Sequence, residues 1–320
     1  MPFEKFDTSR INLLPLAQRE HGLLVDDLLT IDGAAKFADP DVNYSDLSAV
    51  CEAVISARKK NAAVILMYGA HVIKLGLSPV LIQLMEEGYI THLATNGAGA
   101  IHDFELAMIG GTTEDVARYI QEGQFGLWQE SGQLNDIVAD GARNDLGFGE
   151  AVGRYIMESN FPYKDTSVLA AGCRCRIPVT VHVGVGNDIV HAHPNCNGAA
   201  IGEASMTDFL IYAKSVENLE GGVFLNFGSA VTGPEVYLKC LAMARNVAKQ
   251  ENRSIRDFTT AVFDLRTIIG HQNEPPKTDP AYYFRPWKTI LARTVADGGK
   301  SYYIKGDHRA TLGNMAKILI

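Results

Sequence analysis

The stretch Ala62-Ala63-Val64-Ile65-Leu66-Met67-Tyr68-Gly69-Ala70 decides how this chain is read: an apolar run, a glycine turn, then an amphipathic segment over Ser78–Glu87. A run this short, closed by glycine, reads as a strand buried on both faces and feeding a helix. The theme returns twice. Thr91–Thr95 precedes Asn96-Gly97-Ala98-Gly99-Ala100, and Gly222–Asn226 precedes Phe227-Gly228-Ser229-Ala230-Val231-Thr232-Gly233 and a helix reaching Gln250. Val179–Val183 and Ala261–Leu265 have the composition of further buried strands, and Leu134–Ser159 reads as helix within one crossover. This alternation predicts an α/β fold, a Rossmann-like parallel sheet with helices on both faces. No repeat or Pro/Ser-rich linker divides the chain, so residues 1–320 read as a single domain. Residues 1–32 lack a clear period and read as an N-terminal arm that either docks on a neighbouring subunit or wanders. His271–Arg285, with three prolines, reads as a loop.

Composition narrows the function classes. At 320 residues, 47% hydrophobic and 21% charged, the chain can bury a full core and is not disordered. Its 29 Lys+Arg against 37 Asp+Glu give a net charge of −8, which argues against nucleic acid as a partner. No apolar run reaches the roughly 18 residues of a membrane span, and Met-Pro-Phe-Glu-Lys-Phe-Asp has no basic-then-apolar signal pattern. The expectation is a cytoplasmic protein with no membrane partner. Five dispersed cysteines (Cys51, Cys173, Cys175, Cys196, Cys240) read as reduced thiols.

In an open parallel sheet, ligands sit beyond the carboxyl ends of the strands. Backbone N–H groups at helix N-termini bind anions there, and glycine lets the chain come close. Three glycine-bearing turns here have that chemistry: Gly69-Ala70, Asn96–Ala100 and Phe227–Gly233, the last with Thr232 and Pro234 in first-turn positions. Any one of them could be a plain βα turn. Together they point to a nucleotide. Directly after the second turn, Ile101-His102-Asp103-Phe104-Glu105 sets an imidazole and a carboxylate at the mouth of the site, a proton carrier or else a helix N-terminal Asp with a His beside it.

Gly69-Ala70-His71-Val72-Ile73-Lys74-Leu75-Gly76-Leu77, followed by Asn96-Gly97-Ala98-Gly99-Ala100-Ile101-His102-Asp103-Phe104-Glu105, resembles the deoxyhypusine synthase family in its bacterial branch, over most of the chain from about Ala62 onward. The resemblance implies a single Rossmann-like domain, a homotetramer and NAD bound between subunits. It also implies an activity: NAD-dependent oxidation of a polyamine to an imine, capture of the alkyl group by a lysine, and its transfer to an acceptor amine, small or protein-borne. On this likeness Gly69, Ala70 and Gly76 match a serine-rich NAD-contacting turn whose serines are absent here, and Asn96, Gly97, Ala98 and Gly99 are similar to a Thr-Ala-Gly-Gly turn. Gly228, Ser229 and Ala230 are similar to a triple-glycine NAD turn, and Gly306-Asp307 resembles an Ala-Asp pair that meets the cofactor. Asp103 aligns with an aspartate, which puts His102 at a substrate-site glutamate. His182 and Asn187 lie near two aspartates that are missing.

The family's lysine follows Trp-Gly, and the nearest match is Arg285-Pro286-Trp287-Lys288-Thr289-Ile290. Aligning lysines makes Lys288 the covalent carrier beside Trp287; aligning tryptophans puts Thr289 there instead. With at least three of the family's carboxylates gone, a polyamine with two or three ammonium groups loses partners, which points to a different amine. An NAD-binding homologue without the lysine chemistry is the alternative, and a metal-assisted hydrolase is a distant third. His182, His191 and His193 lie close enough in sequence to suggest a metal, but they are read as substrate-binding or packing groups, with no metal expected. Lys74 reads as a phosphate contact or an exposed cation. Trp287 with Tyr282, Tyr283 and Phe284 reads as a loop anchor or an ammonium cage.

Overall fold

Each apolar run forms a strand, and a sixth strand joins them. The computed structural model describes residues 3–320. The strands of its main sheet are β1 (Val64–Tyr68), β2 (His92–Asn96), β3 (Val179–His182), β4 (Val223–Phe227), β5 (Thr259–Asp264) and β6 (Lys300–Lys305). All pair in parallel in the order β3-β2-β1-β4-β5-β6. The order reverses between β1 and β4, so the protein is a doubly wound Rossmann-like α/β fold.

The sequence dictates this because β1 is apolar at every position. Val64, Leu66 and Tyr68 enter the core on one face, Ile65 and Met67 the core on the other, as successive residues of a strand must. The larger core takes α1 (Tyr44–Lys59), α2 (Ser78–Glu86), α3 (Gly97–Ile109), α4 (Gln133–Arg143), α5 (Phe148–Glu158) and α6 (Val168–Cys175). Opposite lie the C-terminal half of α7 (Gly198–Val216), α8 (Thr232–Gln250) and a π-helical segment, Pro286–Arg293. The last helix, α9 (His308–Leu319), returns to the first face. Among the described residues no helix is long and apolar enough to cross a membrane.

Three details differ from the sequence reading. Leu134–Ser159 is two helices, α4 and α5, broken at Asp145, whose φ of 56° no helix accepts. Strand β6 was not foreseen because Lys300-Ser301-Tyr302-Tyr303-Ile304-Lys305 is an edge strand, paired only with β5 and too polar to register as buried. The arm expected over 1–32, of which residues 1 and 2 lie outside the described residues, is tied to its own chain from Leu14 onward. Leu14 bridges Trp128, Leu16 packs with Tyr119 and Trp128, and Leu23–Leu24 pairs antiparallel with Gly111–Thr112.

The tightest tie is Arg19, 4% exposed, whose guanidinium meets both Glu105 oxygens at 3.0 and 2.6 Å. Burial works against the Glu105 carboxylate, but the Arg19 charge and hydrogen bonds, with Ser131 and Thr112, hold its pKa below the usual range. Removing one partner of such a pair strands the other charge in the interior. Arg19→Ala is expected to lower unfolding stability by about 3–5 kcal/mol, read from urea denaturation.

Candidate functional site

Because β1 and β4 are in register to their last residues, Tyr68 opposite Phe227, their two exit turns meet at the reversal point. A Cβ on Gly69 would lie 2.8 Å from the Gly228 carbonyl oxygen, so two turns here touch backbone to backbone. Gly228 has φ 64°, and His308 packs against it so closely that a Cβ would fall 2.6 Å from its Nε2. The Ser229 hydroxyl accepts from the Gly233 N–H at 2.9 Å, and the Ser229 carbonyl from the Asn226 amide at 3.1 Å. That leaves Ala230 and Val231 exposed and Thr232 half-exposed at the N-terminus of α8, where Val231 at the N-cap position supplies no capping side chain. Ala70 begins the next helical turn. His71, its pKa lowered by burial and by Lys74, also feels Asp307 and Arg309 across the crevice. Asp307 caps α9, accepting from the Arg309 N–H at 2.7 Å, and its carboxylate is paired with that guanidinium. Gly76 faces away, against the backbone of Asp27 and Leu28.

The turn after β2 is used differently. Asn96 caps α3, accepting from the Gly99 N–H at 3.0 Å, and Gly99 lies against the Thr95 hydroxyl. Gly97 is covered by Asp188, whose carboxylate oxygen lies 2.0 Å from where a Cβ would be. An internal carboxylate thus occupies the anion position at this helix N-terminus. A pyrophosphate expected at Gly97–Gly99 meets Asp188 there instead. His191 fixes the Asp188 loop, its Nδ1 accepting from the Gly186 and Asp188 N–H groups at 3.1 and 3.0 Å.

Beside this turn lies a cavity of about 260 Å³ whose polar lining includes Lys74, His102, Glu105, Asn187 and Asp188. Thr112 gives its single hydroxyl proton to ionised Glu105 at 2.6 Å, so it accepts at 2.8 Å from His102. His102 therefore carries its proton on Nδ1, and the Nε2 lone pair is left free. Burial, and then the Lys74, Arg19 and His71 charges, lower its pKa to about 4 against the pull of Glu105. Burial raises Asp188 to about 6, partly offset by the Ala98 N–H. Asp103 is elsewhere. Wholly buried, it accepts from the Ser167 hydroxyl and the Val168 and Leu169 N–H groups, capping α6, so Asp188 and not Asp103 shares the cavity with His102.

A second, open cavity of about 410 Å³ adjoins through Asn187 and brings together His182, Thr232 and Glu235. Lys288 lines neither cavity. It is buried in the segment between β5 and β6 with its ammonium 4.0 Å from the Tyr282 ring centroid, and its charge is felt by Glu235. Trp287 is a core residue whose indole donates to the Asn273 carbonyl at 2.9 Å. The three clustered histidines diverge: His182 turns to Thr180, His191 to its own loop, and His193 to the Gly126 carbonyl at 2.8 Å. Among the described residues no group of three His, Cys, Asp or Glu could hold a metal ion. From the sequence Asp188 reads only as a possible oxygen ligand beside the clustered histidines, and His308, next to Asp307, carries no signal of its place in the crevice.

Among solved structures, the chain is similar to a LOR/SDH protein of Methanococcus maripaludis, at 14% identity and a TM-score of 0.50, over 89% of this chain and 71% of that one. It is also similar to ArgZ, an arginine dihydrolase from the ornithine-ammonia cycle in cyanobacteria (16% identity, TM-score 0.48), over 87% of this chain and 33% of that chain. A third is a protein of Entamoeba histolytica assigned as a deoxyhypusine synthase (9%, 0.41, 90% of each chain). The chain thus spans about a third of the cyanobacterial protein's length. At these identities the first likeness supports the fold, and function is argued from the site. No protein-family model matches the sequence, and no curated protein does.

Asp188 gives this description a test. The folded chain holds its proton up to about pH 6, whereas an unfolded aspartate releases it near 3.8. Its contribution to stability is therefore present below the unfolded value and lost as pH rises through 6. Relative to Asp188→Asn, the parent protein is expected to lose on the order of 2 kcal/mol between about pH 4 and pH 7, measured by urea unfolding across that range.

Proposed function

We propose that the chain binds NAD across the crevice between β1 and β4 and uses it to dehydrogenate an amine to an imine in the adjoining cavity. One observation carries the reading: the strand order reverses where Gly69 and Gly228 bring two turns into backbone contact. A crevice of that kind is where doubly wound sheets take dinucleotides. The residues present fit the group. At the N-terminus of α8, nineteen residues long, Ser229 already takes the Gly233 N–H and Pro234 has none, which leaves the Val231 and Thr232 N–H groups and the positive end of the helix dipole for a pyrophosphate. Exposed Val231 and Leu265 offer apolar walls beyond the strand ends. The resemblance of the turn sequences to those of the deoxyhypusine synthase family supports the same cofactor.

When bound, NAD supplies a hydride acceptor, and amine plus NAD becomes imine plus NADH and one proton. The chain's own residues must hold the amine and take up the proton. Asp188, ionised above about pH 6, offers the ammonium a partially buried carboxylate, and Lys74 and Asn187 on the same wall provide a cation and an amide for a polar substrate group. His102 is kept neutral by burial, and the Glu105–Thr112 pair fixes its orientation. Its unprotonated Nε2 then accepts a hydrogen bond from the amine.

Transfer of the alkyl group through Lys288 is a second reading, favoured by one feature: the ammonium is enclosed with Tyr282 and Tyr283, at 4.0 and 5.8 Å from their ring centroids. An aromatic enclosure of that kind suits a cationic group in transit. Borohydride reduction in the presence of NAD and an amine donor traps the donor on Lys288 if this reading holds.

Calorimetric titration with NAD checks the main proposal, with Thr232→Glu as the control that sets a carboxylate at the α8 N-terminus. The parent is expected to bind, and the variant to bind at least about tenfold more weakly, a loss of about 1.4 kcal/mol, with unchanged circular dichroism. A folded parent with no binding at millimolar NAD would overturn the proposal.

A further inference from the structure

Beneath α7, a line of hydrogen-bonded side chains crosses the interior along one face of the sheet. The Ser215 hydroxyl lies 2.8 Å from His92 Nδ1, His92 Nε2 lies 2.9 Å from the Thr180 hydroxyl, and that hydroxyl lies 3.0 Å from His182 Nε2. His92 and Thr180 are buried, Ser215 is half-buried on the outer helix, and His182 lines the open cavity shared with Asn187 and Glu235. The line thus joins the amino end of β2, where His92 stands, to the carboxyl end of β3, where His182 stands. The Tyr212 ring meets both imidazoles edge-on, at 5.1 and 5.3 Å between centroids, and closes the line from that side.

Donor and acceptor counting allows this line two complete arrangements. In one, Ser215 donates to His92, His92 to Thr180 and Thr180 to His182, which leaves the cavity-facing His182 Nδ1 protonated. In the other every bond is reversed, and His182 Nδ1 presents a lone pair. Each arrangement uses one proton per hydroxyl and per neutral imidazole, and both satisfy every group in the line. Burial keeps both rings neutral, with the pKa of His92 lowered to about 3 and that of His182 to about 4. Passing from one arrangement to the other takes up a proton at one end and gives one out at the other.

We propose that Ser215, His92, Thr180 and His182 form a proton path between the cavity and the outer surface of α7. A proton released when an amine is dehydrogenated in the cavity of His102 reaches His182 in the adjoining open cavity past Asn187, which lines both, and leaves by this path. That use rests on the NAD reading; the path itself does not. His92, Thr180 and Ser215 are then positioning residues that act through His182. A purely structural network needs only one fixed arrangement.

The test is imidazole nitrogen NMR on the ¹⁵N-labelled, cofactor-free full chain at neutral pH, with rings assigned from His92→Gln and His182→Gln. In the parent, both rings are expected to show nitrogen shifts averaged between protonated and unprotonated values. Ser215→Ala, at the far end of the line, is expected to drive His182 to a single tautomer. Thr180→Val, which keeps the shape and removes the linking hydroxyl, should do the same, and Thr180→Ser should restore averaging. Single fixed tautomers in the parent, or a His182 that ignores both cuts, would overturn the path. Because no nucleotide is present, failure here is distinct from failure to bind NAD.

Discussion

Everything in the site depends on the contact between Gly69 and Gly228. Two parallel strands in register end side by side, and their onward chains leave toward opposite faces of the sheet. Side chains at those two positions would hold the turns apart, since a Cβ on Gly69 would press into the Gly228 carbonyl at 2.8 Å. With glycine at both, the crevice floor is peptide backbone, and the polar N–H groups of the following turns are brought to the surface. A floor of that kind suits the close approach of a phosphate.

The second determinant is borrowed from far away in sequence. Arg19 holds Glu105, Glu105 accepts from the Thr112 hydroxyl, and Thr112 fixes the tautomer of His102. An arm near the start of the chain thereby decides which nitrogen of a cavity imidazole is free. Desolvation sets the other half of the electrostatics, raising Asp188 to about 6 and lowering His102 to about 4, so that at neutral pH the aspartate is ionised and the imidazole uncharged. The cavity can then hold a cation beside an uncharged imidazole. A solvent-exposed pair of the same residues would instead form an ion pair at mildly acidic pH, with the imidazole charged.

The fold was legible because β1 to β5 are buried on both faces and the sequence has nowhere to hide that: five apolar runs, five strands. Strand β6 escaped because an edge strand needs only part of its surface apolar. The crevice was legible from its glycines. The role of Gly97 was not, since the carboxylate that covers it arrives from Asp188, ninety-one residues later, and no local pattern announces a tertiary partner. Asp103 read as a site residue because it follows His102. On a helix, neighbours point some 100° apart, so one faces the cavity while the other caps α6. Lys288 was singled out only through resemblance, and the aromatic enclosure around it depends on a loop whose path the sequence does not specify.

The most direct measurement is a crystal structure of the protein soaked with NAD. The account predicts pyrophosphate density over Gly69 and Gly228 at the start of α8, with Asp188 still seated on Gly97 and the nicotinamide directed toward the cavity of His102. Pyrophosphate density at Gly97–Gly99 with Asp188 displaced, or a dinucleotide bound away from the β1/β4 crevice, would contradict it.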